Sequence, residues 1–209
     1  MGYTTSFYGE LKFNRPLSQA LADYINAFSR TRHVRRDPND VKQIFPNWKE
    51  LCWKGDLGLE GEYFVGPRID VERSAFNSEE DVYEWRKRVE RANGIKDDNE
   101  HPTGVPGLWC QWIVNEKGEL CWSGGEKFYD YCEWLRYLIE RFFQPEGYVL
   151  NGRILYTGER ADDFGYIFVS DNQVERIFRR YRTSVLFSAG QRPHGFWTNE
   201  HALLKNTFA

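Results

Sequence analysis

The sequence predicts an α+β chain whose core follows the split βαβ, or ferredoxin-like, order. Two observations carry that expectation. With residues 32–106 set aside, apolar periodicity switches between two and 3.6 in the order strand, helix, strand, strand, helix, strand. GELKF at Gly9 and GELCW at Gly118 each close a strand that leads into an aromatic-rich helix, an echo between two half-units. The expected architecture is an antiparallel sheet with one layer of helices, a large insertion at 32–106 and extra C-terminal strands. A single domain spans 1–178, and 179–209 is a C-terminal extension.

Each element has its own reason. Between Thr5 and Phe13, Phe7, Leu11 and Phe13 alternate with Ser6, Tyr8, Glu10 and Lys12, the pattern of a half-buried strand. After Asn14-Arg15-Pro16, the residues Leu17, Leu21, Tyr24, Ile25 and Phe28 recur at helical spacing, with Ser18 as N-cap. Pro38 stops that helix. Within the insertion, PNDVKQIFPNWKELCWKG holds a short helix and GEYFVGPRIDVE reads as one or two short strands around Gly66 and Pro67. A helix near 78–93 follows, capped by Asn77 or Ser78, with Val82, Trp85 and Val89 as its apolar stripe and Asn93-Gly94 as its end. Residues 94–107, GIKDDNEHPTGVPG, read as a long mobile loop.

The Trp- and Cys-rich middle begins with a hairpin. Leu108–Val114 and Glu119–Ser123 are strands joined by Asn115-Glu116-Lys117-Gly118, with Gly118 in the left-handed position of a bulged turn. The expected register sets Trp112 opposite Cys121 and Cys110 opposite Ser123. Trp112 then shares a face with Cys110, Val114 and Cys121, while Trp109, Ile113, Leu120 and Trp122 share the other. A helix from about Glu126 to Phe143 presents Phe128, Tyr131, Cys132, Trp134, Leu135, Leu138, Ile139, Phe142 and Phe143 on one face, and Glu126, Asp130, Glu133, Arg136, Tyr137 and Glu140 on the other. Residues 148–157, 164–170 and 173–178 are strands, the last two joined by a tight turn at Asp171-Asn172. The dense Trp and Cys are thereby core filling rather than a reactive site.

Composition narrows the function classes. With 28% charged and 41% hydrophobic residues, the 209-residue chain can bury a substantial core, which excludes wholesale disorder. A formal charge of −3 is too small for a global nucleic-acid footprint and for a DNA mimic. No apolar run reaches the length of a membrane span, and MGYTTSFYGELKF lacks a signal-peptide layout, so a cytosolic protein is expected. Bulky Tyr3 argues against myristoylation at Gly2. Four cysteines without a CxxC pair read as buried thiols, not as a disulfide framework or zinc site.

The block from GLWCQW through GGEKFYDYCEWLRYLIERFFQPEGYVLNG to DDFGYIFVSDNQV resembles an uncharacterised family of small proteins of bacteria and their phages. The opening GYTTSFYGELKFNRPL and the basic TRHVRRDP resemble that family's start. The resemblance implies a mobile-element setting, in which small cytosolic proteins often bind host components. It implies no catalytic residues.

Candidate chemistry lies in three basic clusters. Arg30, Arg32, Arg35 and Arg36 form the first, and Arg86, Lys87, Arg88 and Arg91 the second. Both occupy last helical turns, where cations are favoured by the helix dipole. The third, Arg176, Arg179, Arg180 and Arg182, lies on a strand or loop, where no dipole explains it. Tyr181 and His33 are the stacking partners a phosphate-binding reading would use. The second aromatic face of the sheet is expected to be covered by the insertion, with a partner chain or an open stacking platform as alternatives. Asp162-Asp163-Phe164-Gly165 contains the DFG triplet without the rest of a kinase signature and reads as a turn. Asp97, Asp98, Glu100 and His101 have metal-ligand chemistry but read as a solvated loop. His194 and His201 have no nucleophile motif beside them. With no GxSxG, HExxH or Walker loop, the sequence calls for neither an enzyme, a metal nor a cofactor. The function expected is a phage-type binding protein acting on a host protein or nucleic-acid complex. A nucleotide-binding or nucleotide-cleaving protein, with arginines and an aromatic ring in one pocket, and a structural subunit of an oligomer are the alternatives.

Overall fold

A computed structural model of the chain describes residues 2–72 and 79–178. It is an α+β structure in which every neighbouring pair of strands is antiparallel. The first strand forms in two parts, β1 (Thr5–Tyr8) and β2 (Leu11–Phe13). Both pair with β7 (Leu150–Gly158) in one unbroken register, Tyr8 opposite Leu155 and Leu11 opposite Gly152. The interruption sits at Gly9, where φ is +110° and a Cβ would meet the Arg153 carbonyl at 2.9 Å. Only glycine accepts that approach.

Helix α1 (Gln19–Arg30) starts where predicted, the Ser18 hydroxyl accepting from the Leu21 N–H. It buries Leu21, Tyr24, Ile25 and Phe28. The insertion supplies β3 (Arg35–Arg36), helix α2 (Pro38–Ile44), helix α3 (Glu79–Ala92) and β4 (Ile95–Asp97), with β3 paired to β4. Asp37 caps α2 and Pro38 opens it, the arrangement that suits a residue lacking an N–H. Val41, Phe45, Cys52, Leu57 and Phe64 form a small core there. The expected strands in GEYFVGPRIDVE reduce to one isolated bridge between Cys52 and Phe64. The stretch 94–107 is not an open loop. It holds β4, buries Pro102 and Val105, and ties back through Arg35 N–H to the Glu100 carbonyl (2.9 Å). The proposed caps Asn77 and Ser78 lie outside the described residues.

The hairpin β5 (Trp112–Val114) and β6 (Leu120–Trp122) departs from the expected register by one residue, with Trp112 opposite Trp122 and Ile113 opposite Cys121. Asn115 pairs with Glu119 and its side chain accepts from the Lys117 and Glu119 N–H groups, so the loop is one residue shorter than predicted. A one-residue shift exchanges faces. Trp112, Val114, Leu120 and Trp122 therefore face the core together, and Ile113 and Cys121 face away. Trp109 precedes β5 and belongs to neither face.

Helix α4 (Tyr131–Leu138) begins five residues later than expected and runs on through a π-turn (Ile139–Phe143) and a short 3₁₀ turn (Gln144–Glu146). Lys127 and Asp130 both take positive φ, which ends any helix before Tyr131. Tertiary contact imposes this path, because Phe128 packs beside Phe7 and Trp112 at 5.8 and 5.4 Å between ring centroids. After β7, β8 (Phe164–Ser170) and β9 (Gln173–Phe178) extend the sheet across the predicted Asp171-Asn172 turn.

The sheet order is β5-β6-β2-β7-β8-β9. Its inner face, with Leu11, Trp112, Leu120, Ile154, Tyr156 and Ile167 wholly buried, packs on α1 and α4. Among the described residues the insertion lies against these helices and not against the far side of the sheet. Tyr24 donates to the Tyr63 carbonyl (3.0 Å), Trp53 packs on Tyr24, and Tyr63 packs on Phe142. This third layer explains why Tyr137, expected on the solvent face, is buried.

Candidate functional site

The first basic cluster, RTRHVRR, becomes a site because the chain leaves α1 in extended conformation. Thr31 has φ −92° and ψ 137°, and side chains beyond it alternate. Arg32, Val34 and Arg36 line a cleft of about 560 Å³, together with Arg30, Arg68 and Trp109. The other set points elsewhere. His33 packs on Phe28 and Trp134, with Nε2 donating to the Phe28 carbonyl (3.1 Å). Burial pushes its pKa down to about 3, so it is a neutral core residue and not a surface stacking partner. Arg35 pairs with Glu60 (2.8 Å) and Glu100 (2.7 Å).

Within the cleft each arginine is held by one anchor. Arg32 Nη2 donates to the Asp98 carbonyl (2.7 Å), and its buried Nε has no hydrogen-bond partner among the described residues. Arg36 is 5% exposed, lies 4.9 Å above the Phe64 ring and donates from Nη1 to the Asn93 carbonyl (2.5 Å). Burial, then the charge of Arg68, brings its pKa down to about 10. Asn93 is a buried hub that also exchanges hydrogen bonds with the Ile69 N–H and carbonyl, which fixes the segment carrying Arg68. Arg68 meets Asp98 at 3.4 Å. Among the described residues this is the ion pair made by these four guanidiniums, so their charge is largely uncompensated.

Trp109 stands at the rim, 46% exposed. Its ring makes no stacking or hydrogen-bond contact with the described residues. Thr31 caps the end of α1 and satisfies two of its last carbonyls. Its N–H bonds the Phe28 carbonyl (3.0 Å) and its hydroxyl the Ala27 carbonyl (2.9 Å).

The third cluster is placed differently. Arg176 turns inward from β9, its Cζ 4.3 Å from the Phe178 ring centroid and 4.6 Å from that of Tyr156, and meets Asp163 at 3.4 Å. It also borders a cleft of about 300 Å³ with Tyr131, Glu133 and Arg136. Arg179, Arg180, Tyr181 and Arg182 lie outside the described residues, as do His194 and His201. In the second cluster, Lys87 pairs with Glu90 at 2.6 Å. Asp163, from the DFG triplet, accepts from Tyr3 (2.7 Å) in the turn after β7. Among the described residues no three His, Cys, Asp or Glu side chains are grouped to hold a metal ion.

The outer face of the sheet is open among the described residues, contrary to the expected cover by the insertion. Tyr8, Leu155, Tyr166 and Ile177 form one cross-strand row, with Phe168 beside them. Tyr8, Phe168 and Ile177 are 58%, 40% and 44% exposed.

Sequence reasoning finds Arg32 and Arg36, and names Trp109 only as part of an aromatic sheet face and not beside these arginines; it misses Arg68. Arg68 is 32 residues beyond Arg36, and a lone arginine after Gly66-Pro67 carries no local signal. Trp109 was assigned to a strand that begins three residues later. No helix among the described residues is long and apolar enough to cross a membrane. No family model, curated protein or solved structure matches the chain.

Proposed function

We propose that the chain is a non-enzymatic binding protein of the phage or prophage type that engages a nucleic-acid-containing host complex through the arginine cleft. The observation that carries this reading is the convergence of Arg30, Arg32, Arg36 and Arg68 with an exposed Trp109 in one cleft. Guanidiniums recognise phosphate oxygens in two-pronged fashion, and a free ring offers a base a stacking surface. The scaffold reading is a ferredoxin-like core. The four strand positions that carry the predicted core lie in the spatial order second, third, first, fourth, with α1 after the first and α4 after the third, which supports it.

Fluorescence anisotropy with single-stranded DNA and RNA oligonucleotides at several salt concentrations tests the function. Binding should weaken steadily with salt, as phosphate contacts do. The double variant Arg32→Ala/Arg68→Ala should bind at least 10-fold more weakly. Wild type and variant binding alike, or not at all, would remove the basis for the proposal.

A further inference from the structure

The size of the cleft, its spare donors and its single ring narrow the ligand, a step that rests on reading the cleft as a nucleic-acid contact. We infer that the cleft holds one nucleotide unit bearing a terminal phosphate, with the phosphate on Arg32 and Arg68 and the base on Trp109.

The charge of the cleft carries the first half of the inference. Arg32 commits Nη2 to the Asp98 carbonyl, yet its buried Nε has no acceptor among the described residues. A buried donor without a partner is costly and leaves the guanidinium charge uncompensated, which favours an anion in the cleft that Arg32 lines. Arg36 adds a fixed positive charge from below, its guanidinium held on Phe64 and the Asn93 carbonyl. Four guanidiniums against one Asp98 carboxylate favour a dense anion. A terminal phosphate carries about −1.5 to −2 charges at neutral pH, against one for a backbone diester.

The aromatic contribution is one ring. Strand-tracking grooves combine a long basic path with several rings on which successive bases stack. Here Trp109 is the aromatic residue lining the cleft, and about 560 Å³ is the scale of a small-molecule pocket. One ring beside one phosphate site fits one base and its phosphate. That chemistry is shared by a free nucleoside monophosphate and by the 5′-phosphorylated end of a single strand.

Isothermal titration of the full chain tests this with adenosine monophosphate, adenosine, inorganic phosphate, 5′-phosphorylated and 5′-hydroxyl oligonucleotides, and a hexaglutamate peptide. Adenosine monophosphate should bind at least 10-fold more tightly than adenosine or inorganic phosphate. Trp109→Ala should erase its advantage over inorganic phosphate, and Trp109→Phe, which keeps a ring, should restore part of it. Arg32→Gln/Arg68→Gln should abolish both phosphate ligands, with circular dichroism showing an unchanged fold. Preference for the phosphorylated strand over its 5′-hydroxyl counterpart supports a strand end as the source, and tight binding of the mononucleotide without that preference supports the free nucleotide.

Adenosine monophosphate binding no better than inorganic phosphate, or indifference to Trp109→Ala, would overturn the inference. If oligonucleotides still bind through Arg32 and Arg68 in that case, the proposed function stands and only the single-nucleotide reading falls. Hexaglutamate binding as tightly as any nucleotide, or no binding by any nucleotide or oligonucleotide, would overturn both.

Discussion

His33 shows at residue scale how position overrides chemistry. It lies within a run of arginines, yet the alternation of an extended chain turns it into the aromatic core while Arg32 turns to the cleft. Its pKa falls from the ordinary 6.5 to about 3, so the folded protein keeps it neutral where the unfolded chain protonates it. The unfolded state then binds more protons below pH 6.5, and stability decreases as pH falls from 6.5 towards 3. Between pH 7 and pH 5 the loss from this group is about 2 kcal/mol. Urea unfolding at both pH values should show that loss in the wild type, and a clearly smaller one in His33→Gln. Equal pH dependence in the two proteins would show that His33 is not the buried neutral group described. The cysteines follow the same logic. Burial pushes Cys110 up to about 12 and Cys132 up to about 11, which withholds the thiolate needed for reactivity. Burial also pushes the half-exposed Cys121 thiol up, so all three thiols of the Trp- and Cys-rich segment are held towards the protonated form.

At the scale of elements, helix α1 both packs and protects the sheet. Strand β5 is an edge, and its backbone groups would invite another strand. Asn26 closes that edge with two bonds, its Nδ2 donating to the Val114 carbonyl (3.0 Å) and its Oδ1 accepting from the Val114 N–H (2.8 Å). Ser29 donates to the Cys110 carbonyl (3.0 Å). Asn26→Ala leaves both Val114 groups without these partners and should cost about 1–3 kcal/mol, measured by urea unfolding. A change under a few tenths would mean that solvent replaces the side chain fully. The hairpin marks the limit of local reading. The turn residues and Gly118 were legible, but the register depended on whether Asn115 closed the ladder or opened the loop. The loss of 126–130 from α4 has a non-local cause too, since Phe128 is drawn into the Phe7 and Trp112 cluster.

At the scale of the whole molecule, the insertion decides which surfaces remain available. By packing on the helices it completes the aromatic interior around Phe28, Trp134 and Tyr137, and leaves the outer sheet face to solvent among the described residues. The two faces of β8 make this measurable. Ile167 is wholly buried and Phe168, its neighbour, is 40% exposed on the opposite side. Ile167→Ala should cost about 2–5 kcal/mol, and Phe168→Ala should cost much less, under about 1 kcal/mol. Comparable losses at both positions would mean that the outer face is covered. The cleft is also a product of the whole, because Arg32, Arg68 and Trp109 come from three separated segments: the Asp98 carbonyl holds Arg32, the Asn93 hub holds the segment of Arg68, and the His33 N–H bonds the Leu108 carbonyl beside Trp109 (2.9 Å).

The sequence by itself determined that the chain is α+β, where α1 and the later strands run, and that Cys110, Trp112, Cys132 and Trp134 are interior, whereas Trp109 and Cys121 of the same segment are not. Those properties follow from periodicity, caps and turn residues, which act over a few positions. Only the tertiary structure decided the hairpin register, the path of 94–107, the side on which the insertion packs and the partners of each arginine. Those outcomes depend on contacts between residues far apart in the chain, where burial and hydrogen-bond satisfaction select among arrangements that local preference leaves equal.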